Sequence, residues 1–186
     1  MQNISNKAFV ISAIILCAAL SRIIPHPMNF APLGAMALFG AAYFGKRGAG
    51  LLWVMIAWFA SDLILNNFVY STQSGFSLFT SGAIYIYGSI ALIFVLGKLL
   101  FKKITISRML TGSISASIVF FVISNFGVWM QGTLYPMNWG GFVACYSAAI
   151  PFFQNTVTGD LMYSGLLFVA YEKLFRQQLN ESRVEQ

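Results

Sequence analysis

Arg22, His26, Asp62 and Asp160 are the residues whose types and spacing point to chemistry. Ten of the eleven Lys and Arg residues flank apolar segments on what hydropathy makes one side of a membrane, and Arg22 alone lies at the other side. It is followed one turn later by the only histidine, His26, while Asp62 and Asp160 are the only acids away from the ends of the apolar segments. Arg22 lies 15 residues beyond Lys7, Asp62 lies 15 beyond Arg47, and Asp160 lies 15 before Phe175. At 1.5 Å per residue each reaches roughly 22 Å from the basic edge, in the outer third of a hydrocarbon layer about 30 Å thick. Ionisable groups at such a depth are expensive and usually functional. A guanidinium there counters a ligand anion, carboxylates accept from ligand donors, and the amides of Asn29, Asn66, Asn125 and Asn155 add neutral hydrogen bonds.

Each of these groups has a polar or aromatic neighbour four residues away, and so on the same helix face: Asp62 with Trp58 and Asn66, Asp160 with Thr156, Asn125 with Trp129. Pro25 interrupts the corresponding pair of Arg22 and His26. A purely structural role is open as well, since Arg22 paired with either Asp62 or Asp160 would hold helices together at a fixed depth. That leaves the second acid and the asparagines in need of partners, which a polar cavity open to the outside would supply. The acid without a counter-charge makes Asp160 a candidate for proton or ion coupling.

The elements that must position these groups follow from composition. With 58% hydrophobic residues, 9% charged residues and 18 Phe in 186 positions, the chain is richer in apolar side chains than a soluble core requires. The expected fold is an all-α integral membrane protein: one domain, 1–186, with a bundle of six transmembrane helices over about 8–24, 28–45, 49–65, 79–99, 109–130 and 151–175, and a cytoplasmic tail, 176–186. Lys7, then Lys46 and Arg47, then Lys98, Lys102, Lys103 and Arg108, then Lys173, Arg176 and Arg183 mark the termini and even-numbered loops. The odd-numbered loops carry no charge, so the positive-inside rule puts both termini in the cytoplasm and the protein in the plasma (inner) membrane. Reading the first segment as a cleaved signal peptide would remove one helix from this bundle. Cys17 and Cys145 fall at different depths and form no metal-ligand spacing.

The uncharged outer loops fit a cavity. One, 130–147, mixes Trp129 at its edge and Gln131, Tyr135, Trp139 and Tyr146 with glycines, which suits a lid in which Trp129 and Trp139 stack on a ligand. The alternative is an interfacial aromatic belt. The other, 66–78, includes Tyr70, Thr72, Gln73 and Ser74 and is similarly polar without charge. Basic residues are dispersed over several short loops, so nucleic acid is not an expected partner, and no phosphate-binding Gly-x-x-x-x-Gly-Lys-Ser/Thr loop is present.

Dispersed residues give the chain a resemblance to a known superfamily. Ser21-Arg22, then His26-Pro27, Asn29-Phe30 and Pro32, Gly45-Lys46-Arg47 at the second turn, Ser61-Asp62 ending the third segment and Ser124-Asn125-Phe126-Gly127 ending the fifth resemble the substrate-binding S-components of energy-coupling factor (ECF) vitamin transporters. The chain looks closest to the solitary cobalamin S-component-like transporters and to a group of small six-helix membrane proteins of unknown function. The resemblance implies an S-component-like bundle with a ligand near the outer face, under the odd-numbered loops. It also implies a partner energy-coupling module, a transmembrane subunit with ATPases, at the cytoplasmic face. Two departures stand against a close match: the stretch 75–82 lacks the cobalt-ligating cysteine of the solitary cobalamin proteins, and the first helix lacks the Ala-x-x-x-Ala docking groove of the group-sharing S-components.

The expected function is therefore binding and uptake of a small water-soluble nutrient, a vitamin or related molecule, by Arg22, His26, Asn29, Asp62, Asn66, Asn125, Trp129, Trp139, Asn155 and Asp160. The expected partners are that solute, membrane lipid and an energy-coupling module, with no cofactor, no bound metal and no catalytic residue. A small structural protein of an envelope-building complex is the second class. An intramembrane enzyme resting on His26 with Asp62 or Asp160 is the third.

Overall fold

In the computed structural model of the chain, the described residues are 2–44, 48–70 and 75–184, with side chains described for 7–44, 48–70 and 75–174. Lys46, Arg47, Thr72, Gln73, Ser74 and the side chains of Arg176 and Arg183 lie outside them. Among the described residues there are six α-helices and no strand: α1 (Gln2–Leu20), α2 (Leu33–Tyr43), α3 (Ala49–Ile64), α4 (Ala83–Leu100), α5 (Ile106–Met130) and α6 (Trp139–Val184). A 3-10 turn, Ser21–Ile23, extends α1, and a π turn, Leu65–Val69, extends α3.

The centre of the bundle is its shortest helix. Every residue of α2 from Leu33 to Ala41 is buried, and the helix packs against each of the other five. Its sequence explains this: it is apolar on all faces, so no side needs water, and Gly34, Ala35, Ala37, Gly40 and Ala41 let neighbours approach closely. A Cβ on Gly40 would strike Val54 of α3, and one on Gly97 of α4 would strike Ala41. At 11 residues α2 is about 16 Å long, half a hydrocarbon layer.

Within the expected second span, 28–45, the helix begins only at Leu33. Pro25, Pro27 and Pro32 keep residues 24–32 out of the helix, and Asn29 adopts φ 64°. The fourth helix begins at Ala83 instead of 79, because Gly82 turns the chain in at φ 75°. The sixth begins at Trp139, where the Asn138 Oδ1 accepts the Gly141 N–H at 2.8 Å, and runs through Pro151. The outer loop expected over 130–147 therefore shortens to 131–138, Cys145 lies buried within α6, and the expected tail is helical to Val184.

Three helical stretches, Ala49–Val69, Ala83–Leu100 and Ile106–Met130, are long and apolar enough to cross a membrane. Their outward faces carry exposed Leu52, Ile56, Leu92, Val95, Ile114, Ile118 and Val122, and α6 adds Met162, Leu166 and Val169. An apolar exterior over a core that includes buried Ser and Asp is the distribution expected of a bundle solvated by lipid.

Candidate functional site

Two of the four groups singled out in the sequence meet directly. Arg22, in the turn after α1, forms an ion pair with Asp62 of α3 at 2.7 Å and donates to the Ser61 hydroxyl at 2.5 Å, both from Nη1. Its guanidinium carbon lies 3.6 Å from the centre of the Trp58 ring, one turn before Asp62. The Trp58 indole N–H lies near the Asp62 carboxylate without meeting the geometry of a hydrogen bond. Both partners are largely buried, at 13% and 6% side-chain exposure, so the pair is shielded from screening.

Asp160, the other acid, pairs with backbone instead of Arg22. Its Oδ1 accepts the Ala35 N–H at 3.1 Å, and its Oδ2 accepts the Ser117 hydroxyl at 2.8 Å. The Gly34 amide lies beside it and reinforces the same field. Pro32 at the α2 N-cap offers no side-chain acceptor, so the first turn of α2 is capped by a carboxylate from another helix. Gly34 is required for this contact: a Cβ there would overlap the Asp160 carboxyl group.

Around these groups lies a chamber of about 190 Å³. Arg22, His26, Asn29, Thr156 and Asp160 supply its polar wall, and Leu33, Trp58, Leu65, Tyr70, Ile86 and Phe120 the apolar one. The π turn that carries Leu65 and leads into Tyr70 places both in this wall; π turns recur at functional sites. The His26 Nδ1 is 3.0 Å from the Pro27 carbonyl, which can only accept, so in the neutral ring Nε2 is left with a lone pair. A second chamber of about 200 Å³ shares Asn29, Ile86 and Phe120 with the first and continues along Ser81, Tyr85, Ser124, Asn125 and Gln131, with no charged group in its wall.

The remaining expected site residues lie elsewhere. Asn66 bonds to Thr80 at 3.0 Å, and Asn67, which the sequence did not single out for the site, clamps both backbone groups of Ser77. Together they fasten the α3–α4 loop. Asn155 donates to the Met28 carbonyl at 3.0 Å and holds the segment before α2. Trp129 and Trp139 form walls of neither chamber. They pack on Phe142, with centroids 5.3 and 5.4 Å away, and Trp139 is 76% exposed, which is the aromatic-belt arrangement. Asp62 stands behind Arg22 instead of in the wall.

Conversely, Thr156, Ser117 and the first turn of α2 were missing from the expected site. Thr156 carried a signal, its position four before Asp160, and Pro32 marked a helix start. Ser117 carried none, being one of several serines along α5. No group of three or more His, Cys, Asp or Glu suited to a metal is found among the described residues.

The fold and site define an all-α protein, among its described residues, with three helices long and apolar enough to span a membrane and two neighbouring, partly polar chambers. The chain belongs to a family of unknown function (DUF6580), whose model matches residues 2–182. No curated protein and no solved structure matches it.

Proposed function

We propose that this protein is a membrane-embedded binding and uptake protein for a small water-soluble nutrient, a vitamin or related molecule, held in the chamber walled by Arg22, His26, Asn29, Thr156 and Asp160. The observation that carries this reading is the chamber itself. A bundle built only for stability would fill such a space with side chains, since buried polar walls facing a void cost free energy. Each of the two neighbouring chambers, at about 190 and 200 Å³, lies below the roughly 300–1,000 Å³ of small-molecule sites. That favours a nutrient much smaller than a cobalamin.

The distribution of basic residues supports six crossings, with both termini and the Lys102, Lys103 and Arg108 loop on the cytoplasmic side of the inner membrane. The second crossing is then made by residues 24–32 together with α2, a broken helix whose irregular backbone lines a cavity. An energy-coupling module would meet the cytoplasmic face, as in the S-component-like transporters the sequence resembles, and anionic lipid is an equally suitable partner for that basic loop.

A second reading, a small structural membrane protein of an envelope complex, is favoured by one observation: Arg22–Asp62 and Asp160–Ala35 satisfy each other within the chain. Uptake of labelled water-soluble vitamins into proteoliposomes or whole cells separates the two. Uptake that Thr156→Phe abolishes supports the transport reading; no uptake or binding of any of them supports the structural one.

A further inference from the structure

We propose that the solute taken by this site is an organic cation: a molecule with an ammonium or similar N–H-bearing cationic head for the first chamber and a neutral hydrogen-bonding tail for the second. This rests on the reading of the chambers as a solute-binding site and narrows it by charge. The sequence alone points the other way, to Arg22 as the counter-charge of an anion.

The geometry reverses that expectation. Arg22 is already neutralised, with Nη1 committed to Asp62 at 2.7 Å and to Ser61, and one face covered by Trp58. Against this single guanidinium stand two carboxylates, Asp62 and Asp160, so the formal charge around the first chamber is negative with His26 neutral. Asp160 is the acid left over. Its Oδ1 accepts the Ala35 N–H, its Oδ2 shares the one Ser117 hydroxyl proton with the Ser113 carbonyl, and in the ionised form half a unit of helix dipole at the start of α2 offsets its charge only in part. A carboxylate has about four acceptor positions, so Asp160 retains capacity toward the chamber it lines.

The other polar groups agree. With Nδ1 directed at the Pro27 carbonyl, His26 presents Nε2 as a further acceptor. Asn29, at the junction of the chambers, offers a carbonyl. The second chamber, with Ser81, Ser124, Asn125 and Gln131, supplies amides and hydroxyls to an uncharged tail. An anionic head would face Asp160 with no unneutralised cation to answer it, and like charges at this range in a low dielectric repel strongly.

The electrostatic preference of the chamber can be measured without knowing its ligand. Thr156, which lines the first chamber, is replaced in Thr156→Cys on a background of Cys17→Ala and Cys145→Ala. Full-length protein in proteoliposomes is then treated with cationic, neutral and anionic methanethiosulfonates of similar size, with each rate normalised to a small free thiol. A unit negative charge across the chamber is expected to favour the cationic over the anionic reagent by about 10-fold or more. Asp160→Asn should reduce that ratio to within about 3-fold, and Asn29→Asp, at a left-handed position that Asp tolerates, should raise it. The second variant keeps the test decisive if the first does not fold. Reaction with the neutral reagent but equal or faster reaction with the anion overturns the cation assignment and leaves the pocket standing. Failure of even the neutral reagent to react means the chamber is closed to water, and the binding-site reading falls together with this one.

Discussion

Asp160 of α6 caps a helix to which it is not attached: its carboxylate takes the Ala35 N–H of α2 at 3.1 Å and the Ser117 hydroxyl of α5 at 2.8 Å. One side chain thus joins three helices at the point where the buried half-helix begins, which is also where the first chamber has its floor.

Removing that carboxylate strands a buried amide and a buried hydroxyl. Asp160→Ala is therefore expected to lower stability by roughly 2–4 kcal/mol, while Asp160→Asn, which keeps an acceptor for Ala35, loses less than half as much. Thermal unfolding of the purified protein in detergent checks both; equal losses would assign the effect to charge instead of capping.

Gly34 and Gly88 form a matched pair of helix glycines. A methyl group on Gly34 would run into the Asp160 carboxyl group, whereas at Gly88 it would meet open space. Gly34→Ala should lower the unfolding temperature and shrink the chamber. Gly88→Ala should be neutral or stabilising by up to about 1 kcal/mol, as helix propensity dictates. Unfolding curves recorded side by side decide this, and a milder effect at Gly34 than at Gly88 would contradict the packing.

For Arg22 and Asp62 the expected behaviour is that of a buried pair. Arg22→Gln and Asp62→Asn alone should each cost roughly 3 kcal/mol, because each leaves an uncompensated charge, and the double variant should recover 1–3 kcal/mol of the summed loss. A double-mutant cycle measures that coupling; additivity within about 0.5 kcal/mol would mean that the two residues act independently.

The sequence carried part of this site and not the rest, for identifiable reasons. Depth along a helix is a matter of counting residues, so the common level of Arg22, Asp62 and Asp160 was accessible from spacing alone. Partner identity was not. Asp160 binds backbone N–H groups, and backbone amides have no sequence signature; Pro32 favours a helix start, but hydropathy alone carried the expected second span back to 28. Asn29, one of several asparagines in the sequence, becomes distinctive once its φ of 64° sets it at the junction of the chambers. Trp is drawn both to ligands and to membrane interfaces, and Trp129 and Trp139 lie outside the walls of both chambers and pack on Phe142.

Trp139 accordingly supplies a negative control. Trp139→Ala removes an exposed ring stacked on Phe142 and is expected to leave solute binding within about twofold, with a stability loss near the 0.5–1.5 kcal/mol of an aromatic pair. Loss of binding on a folded background would return Trp139 to the site.

The central claim, that the chamber beside Asp160 holds a solute, is tested most directly by retention of a radiolabelled pool of water-soluble vitamins and amines. Wild-type protein, Trp139→Ala and Thr156→Phe are compared after thermal unfolding has shown that each is folded. The account predicts that wild type and Trp139→Ala retain the same member of the pool and that Thr156→Phe, with the chamber filled, retains none. Retention of nothing by the wild type, or equal retention by Thr156→Phe, would contradict it.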